Sequence, residues 1–255
     1  MRPRLFMGMI GLIALTAATL SAADYWEKKP YAKWSEKEAR KMIMQSPWCV
    51  EFSWSSTGSG GDSLTQDATT YEPSSPVGTA TSRGATDTVG GEREILTIVR
   101  VMLFSSRPVR SAVAVLAAKG DTGRIARLKD FAERDFGDEI VVAWVLDSKP
   151  KGATLVADLD RQLRALAVGE LASETFLATS SGRKVFIKDY IPPTPDGTGA
   201  KFVFPRFLPD GTPLITAADK TLRFQTKKFQ MRDDDISVDA TFKLDKMIFN
   251  GQLDY

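Results

Sequence analysis

Two serine–lysine pairs are the first residues of this sequence whose types and spacing could do chemistry. Ser148–Lys151 and Ser181–Lys184 both have the spacing Ser-x-x-Lys, at which a lysine of lowered pKa can activate the serine as a nucleophile. Both pairs fall in predicted turns, whereas the penicillin-binding enzymes place this motif at the start of a helix. We therefore assign no catalytic residue to this chain.

The second such feature is the run Asp233-Asp234-Asp235. Clustered carboxylates can bind calcium, but this run lacks the spaced acids and the turn glycine of an EF-hand loop. Three like charges in a turn between strands are typical of solvated surface. The sequence therefore predicts no metal site here.

The missing residue types exclude several classes of chemistry. The chain has no histidine and one cysteine, Cys49. Without histidine there is no Ser-His or Cys-His pair, and the commonest metal ligand is lacking. A lone cysteine allows neither an intramolecular disulfide nor a structural zinc site. We predict no cofactor, and a fold that an apolar core alone stabilises.

The charge balance argues against nucleic acid as a partner. The chain has 34 Lys and Arg against 32 Asp and Glu, and Arg2 and Arg4 account for the difference. A chain that is neutral beyond these two residues lacks the basic surface that phosphate backbones require.

Residues 1–23 have the three parts of a secretory signal peptide. The basic start Met1-Arg2-Pro3-Arg4 is followed by an uncharged apolar stretch and then by Ser21-Ala22-Ala23. The apolar stretch is shorter than the roughly 20 residues that span a bilayer. We predict export to the periplasm or the medium, cleavage near Ala23 and no stable membrane anchor; an uncleaved anchor is the alternative.

Helix and strand patterns divide the remaining chain into two halves. In the first half we predict helices over 36–45, 108–120, 122–136 and 153–168, and strands over 48–54, 93–104 and 139–147. In the second half we predict short strands over 174–179, 183–190, 201–206, 220–226, 236–244 and 247–254. A mixed helix-strand N-terminal half with an antiparallel, strand-rich C-terminal half predicts an α+β fold.

Residues 55–91 interrupt these patterns. Gly, Ser, Thr and Pro dominate this range, and it shows no period of 2 or 3.6. Such a segment buries too little apolar surface to offset its ordering entropy. We predict a flexible low-complexity insertion between the paired strands 48–54 and 93–104, within a single domain of residues 24–255.

The last two predicted strands need a turn between them. Asp245-Lys246 is our choice and Asn250-Gly251 is the alternative, because the Asn-Gly pair favours the left-handed turn conformation. With the first choice, Gly251 would mark a bulge.

The N-terminal aromatic segment is the candidate binding site. Trp26, Tyr31 and Trp34 belong to a stretch that holds most of the tryptophans of the protein. Such rings can stack on sugars or anchor a protein partner. We predict a binding surface for a protein or a glycan, and the alternative is that the rings pack on the core.

Five sequence stretches carry a resemblance to known proteins. They are Tyr25-Trp26-Glu27-Lys28-Lys29-Pro30-Tyr31, Trp34, Ser46-Pro47-Trp48, Phe204-Pro205-Arg206 and the ending from Phe242 to Asp254. In these stretches the chain resembles a group of uncharacterised exported proteins of soil acidobacteria. The resemblance implies export and assigns no activity.

Together these features favour an exported, non-catalytic protein with a binding or envelope-structural role. The alternative is a secreted hydrolase that uses carboxylates alone, as many glycosidases do. The 32 acidic residues of the chain keep that alternative open.

Export predicts a processed N-terminus. N-terminal sequencing of the secreted protein should begin at or near Asp24, because Ser21 and Ala23 supply the small residues that signal peptidase requires. Recovery of the intact chain from the cytoplasm would contradict this prediction.

Overall fold

The computed structural model of the protein describes residues 24–57, 61–65, 95–148, 153–227, 229–231 and 234–255. The predicted signal peptide lies outside these residues, so export stays a prediction. Most of the predicted insertion at 55–91 also lies outside them. Among the described residues, no helix is both long enough and apolar enough to cross a membrane.

The described helices are short, and most of them lie in the first half of the chain. They are α1 (Tyr25–Lys28), α2 (Glu36–Met44), α3 (Arg107–Ala118), α4 (Thr122–Arg127), α5 (Lys129–Glu133), α6 (Ala153–Ala165) and α7 (Val168–Leu171), with single 3-10 turns at Tyr31–Lys33 and Leu244–Lys246.

The described strands become shorter toward the C-terminus. They are β1 (Cys49–Thr57), β2 (Gly61–Thr65), β3 (Ile95–Leu103), β4 (Glu139–Ser148), β5 (Phe176–Thr179), β6 (Lys184–Phe186), β7 (Asp189–Ile191), β8 (Ala200–Pro205), β9 (Thr221–Gln225), β10 (Phe229–Met231), β11 (Asp234–Ile236), β12 (Asp239–Lys243), β13 (Ile248–Phe249) and β14 (Gln252–Leu253).

A six-stranded antiparallel sheet forms the centre of the fold, in the order β2-β1-β3-β4-β8-β7. The pairing of β1 with β3 confirms that the strand before the predicted insertion joins the strand after it. Residues 55–57 and 61–65 fall inside the predicted insertion, but 55–57 belong to β1 and 61–65 form β2, which pairs with residues 53–57 of β1. Their serines and threonines are compatible with strands, so composition alone placed the start of the insertion too early.

The two faces of this sheet are covered differently. Alternation along the strands puts Cys49, Met102 and Val145 on the face that α2 and α3 cover. Phe202 and Phe204 lie on the opposite face, where their rings contact Phe224 of a second sheet at centroid distances of 5.4 and 6.0 Å. That second sheet is antiparallel, in the order β12-β9-β5-β6. The predicted α+β fold is confirmed.

The predicted helix 122–136 is wrong, because the chain forms two shorter helices that break at Leu128. Buried Arg110 of α3 explains the early end of α5, since its guanidinium donates to the backbone oxygens of Phe131 and Arg134. The donor lies more than twenty positions away in the sequence, so the local helix pattern does not reveal it.

The predicted strand 183–190 is also divided. Its first part, β6, pairs with β5, and its second part, β7, pairs with β8 of the other sheet. The chain crosses between the sheets at Ile187, whose N–H donates to Thr175 O at 3.0 Å, and Lys188, whose N–H donates to Val203 O at 2.7 Å.

The C-terminal hairpin turns at Asn250-Gly251, the alternative position. Both residues have positive φ, 52° and 73°, as a two-residue hairpin turn between β13 and β14 requires. Asp245-Lys246 lies in the 3-10 turn that ends β12. The predicted bulge at Gly251 is therefore wrong, and β12 pairs with β9 rather than with the last strand.

The interface between the two sheets generates a stability prediction. Phe242 of β12 is 1% exposed, so Phe242→Ala should lower the free energy of unfolding by about 3–5 kcal/mol in urea denaturation. Phe186 of β6 is 47% exposed, and Phe186→Ala is the matched control, with an expected loss below about 1 kcal/mol. Equal losses for the two variants would mean that the sheets do not pack through Phe242.

Candidate functional site

The structure places two of the three predicted binding residues in the core. Trp26 is 2% and Trp34 is 4% exposed, whereas Tyr31 is half-buried. The ring of Trp26 packs edge-on against Trp48 at 5.7 Å, and Trp34 packs against Tyr25 at 5.5 Å. The prediction of an exposed aromatic surface that includes Trp26 and Trp34 is therefore wrong. Burying these large rings stabilises the fold more than leaving them exposed to solvent would.

Local hydrogen bonds hold the N-terminal arm, residues 24–35, against α2. The Ser35 hydroxyl accepts from the Glu38 N–H, and the Glu38 carboxylate accepts from the Ser35 N–H, which together form a capping box. Tyr25 donates its hydroxyl proton to Glu38 O at 2.6 Å, and Lys29 Nζ donates to the Glu38 carboxylate at 2.8 Å. These bonds fix the backbone from which Trp26 and Tyr31 project.

The arm forms one wall of a cleft of about 590 Å³, which we call the arm cleft. The opposite wall comes from the start of α3, the end of α5 and the C-terminal hairpin. The lining residues are Trp26 to Tyr31 of the arm, then Arg107, Ser111, Glu133, Phe249 and Asn250.

A second cleft of about 450 Å³ adjoins the first, and we call it the arginine cleft. Arg107 and Glu133 line both clefts. The further lining side chains that the argument below uses are Arg110, Arg134, Arg206, Asp254 and Tyr255. We refer to the two clefts together as the double cleft.

Asp254 fixes the boundary between the two clefts. Its carboxylate accepts from the Arg107 backbone N–H at 2.7 Å and from the Arg107 guanidinium. Its backbone oxygen accepts from Trp48 Nε1 at 2.6 Å. The carboxylate thus satisfies an N–H at the first turn of α3 and is itself only 6% exposed.

Arg110 is a buried cation in the wall of the arginine cleft. Its guanidinium donates to the backbone oxygens of Ser105, Ser106, Phe131 and Arg134, and it lies 4.8 Å from the ring centroid of Phe136. Burial lowers the pKa of Arg110 to about 10, so the side chain remains charged at neutral pH. Carbonyl dipoles rather than a bonded carboxylate hold this charge.

Arg206 completes the far wall. It donates to Gly137 O at 2.9 Å, to Glu139 O at 3.2 Å and to Tyr255 O at 3.1 Å, and it stacks 4.4 Å from the Tyr255 ring. Its guanidinium therefore joins the end of the chain to the start of β4.

The carboxylates of the arm cleft have contrasting surroundings. Burial, together with the nearby carboxylate of Glu133, raises the pKa of Tyr31. Glu27 Oε1 is buried and has no hydrogen-bond partner in the described part of the chain. A buried acceptor without a donor costs about 1–3 kcal/mol, and Glu27 Oε1 is the one such buried atom among the described residues that line this cleft.

The described members of the two serine–lysine pairs, and the lone cysteine, lie outside the double cleft. Ser181 lies in the turn between β5 and β6, and Lys184 Nζ lies 4.0 Å from the ring centroid of Phe176. Ser148 ends β4, while Lys151 and Asp233 lie outside the described residues. Cys49 donates its thiol proton to Ile43 O at 3.0 Å, and burial raises the pKa of this thiol to about 12.

The arrangement of the described His, Cys, Asp and Glu side chains determines whether they could hold a metal ion. Within those ranges, no group of three His, Cys, Asp or Glu side chains is placed to hold a metal ion. The described acids of the double cleft are spread along both clefts rather than clustered.

Sequence reasoning named Trp26 and Tyr31, which line the arm cleft, but it predicted no cleft and missed the polar groups in its walls. Arg107, Glu133 and Asp254 are ordinary charged residues in the sequence, and contacts between distant parts of the chain bring them together. One signal was available for Arg110, which lies in the sequence between the apolar residues Val109 and Ala112 of its helix.

Comparison of the chain with protein-family models, curated proteins and solved structures gives no match. The resemblance to exported acidobacterial proteins therefore stays a prediction.

Proposed function

We propose that this protein is an exported, non-catalytic binding protein that holds a polar ligand in the double cleft. The observation that carries the proposal is that one cleft is lined both by Glu27, whose Oε1 has no hydrogen-bond partner in the described part of the chain, and by Arg107, whose side chain is 41% exposed. Glu27 can accept a hydrogen bond from a donor group of the ligand, and Arg107 can donate hydrogen bonds to an acceptor group of the ligand.

Preorganisation of the cleft walls supports binding. Arg107 is held by Asp254, and the arm is fixed by the capping box of α2 and by the bonds of Tyr25 and Lys29 to Glu38. A ligand then meets side chains that have already lost most of their conformational entropy, which favours affinity.

The arrangement of carboxylates favours binding over hydrolysis. A glycosidase needs two carboxyl groups that face each other across roughly 5–10 Å with the substrate between them. In the double cleft, the Asp254 carboxylate is bonded to Arg107, and the Asp135 carboxylate accepts from the Gly137 backbone N–H at 2.9 Å. These contacts are the reason to place binding ahead of the carboxylate-dependent hydrolase.

A ligand screen by thermal unfolding tests this function. The panel would hold neutral, acidic and amino sugars, amino acids, short peptides and dicarboxylates. A ligand at 100 times its Kd stabilises by about 2.7 kcal/mol, which corresponds to a rise in Tm of about 5–10 °C for a chain of this size. We expect at least one polar compound to give such a rise and to be recovered chemically unchanged.

Two variants locate the site of that ligand. Arg134→Gln, in the arginine cleft, should reduce the rise in Tm, whereas Arg124→Gln, on the exposed surface of α4, should leave it unchanged. Turnover of any compound, or a panel in which nothing raises the Tm, would contradict the proposed function.

A further inference from the structure

The double cleft has an excess of positive charge. Among the described residues that line it, six carry cationic side chains and four carry acidic side chains. An anionic ligand is therefore complementary to the cleft as a whole.

Two guanidinium groups remain accessible to such a ligand. Arg107 binds Asp254 through Nε, its side chain is 41% exposed, and it lines both clefts. Arg134 is exposed and lies 5.6 Å from the ring centroid of Phe136. The planar fork of a guanidinium binds a carboxylate through two parallel hydrogen bonds.

The arm cleft requires something different of the same ligand. Glu27 Oε1 is an acceptor that needs a donor, and a second anionic group at this point would be repelled. A neutral hydroxyl satisfies Glu27 without placing a further charge in the cleft. The half-buried Tyr31 supplies apolar surface beside it, which suits the C–H face of a sugar ring.

We propose that the ligand of the double cleft is a hydroxylated carboxylate, the chemistry of a uronic acid residue in an acidic glycan. This inference rests on the proposed binding function and gives its ligand class. Arg107 and Arg134 receive the carboxylate, and Glu27 accepts a hydrogen bond from a ring hydroxyl.

Calorimetric titration with matched small probes tests the ligand class. D-galacturonate and D-glucuronate carry both the carboxylate and the hydroxyls. D-galactose lacks the charge, cyclohexanecarboxylate lacks the hydroxyls, and D-galactosamine reverses the charge. We expect at least one of the two uronates to bind at least tenfold more tightly than each of the other three probes.

Variants separate the two contacts. Arg107→Lys keeps the charge beside Asp254 but loses the planar fork, so it should weaken uronate binding at least tenfold and leave weak galactose binding unchanged. Glu27→Ala should weaken uronate and galactose binding by the same factor, because both offer the hydroxyl. Arg124→Gln is the control, and the Tm of each variant verifies folding.

The outcomes distinguish this inference from the function on which it rests. Equal affinity for D-galactose and the uronates, or preference for D-galactosamine or cyclohexanecarboxylate, would overturn the ligand class. The proposed binding function would then still stand. If no probe binds but another compound of the thermal panel does so in the double cleft, the ligand class is likewise overturned. If neither set contains a ligand, the proposed function fails as well.

Discussion

The contacts of Asp254 are the interaction on which the rest of the structure depends. One residue near the C-terminus accepts hydrogen bonds from Trp48 at the start of β1 and from Arg107 at the start of α3. These contacts join the central sheet, a helix on its face and the last hairpin. They also place the Arg107 guanidinium where the two clefts meet, so that the same buried carboxylate supports both the fold and the candidate site.

Charge burial in this region follows one rule. The buried carboxylate of Asp254 has a cationic partner, and the buried cation Arg110 has four backbone oxygens. Both arrangements offset the loss of hydration that burial imposes on a charge. Glu27 Oε1 departs from the rule within the described residues, since it is buried without a donor. The proposed ligand contact in the arm cleft rests on that departure.

Local signals in the sequence were sufficient for the elements they control. Ser35 and Glu38 set the start of α2, and the apolar run in β3 predicted a central strand. Asn250 and Gly251 carried the turn signal of the last hairpin, although Asp245-Lys246 was chosen as the turn. The end of α5 and the walls of the double cleft depend on Arg110 and Asp254, whose partners are distant in sequence. Neither periodicity nor composition contains that information.

Substitution of Asp254 tests the central claim most directly. The free energy of unfolding of Asp254→Ala, measured in urea beside the exposed control Asp245→Ala, reports what the carboxylate contributes. Loss of a charged hydrogen bond and of the contact at the first turn of α3 predicts a decrease of about 2–4 kcal/mol for Asp254→Ala. The control should change by less than about 0.5 kcal/mol. A decrease for Asp254→Ala no larger than that of the control would contradict the account.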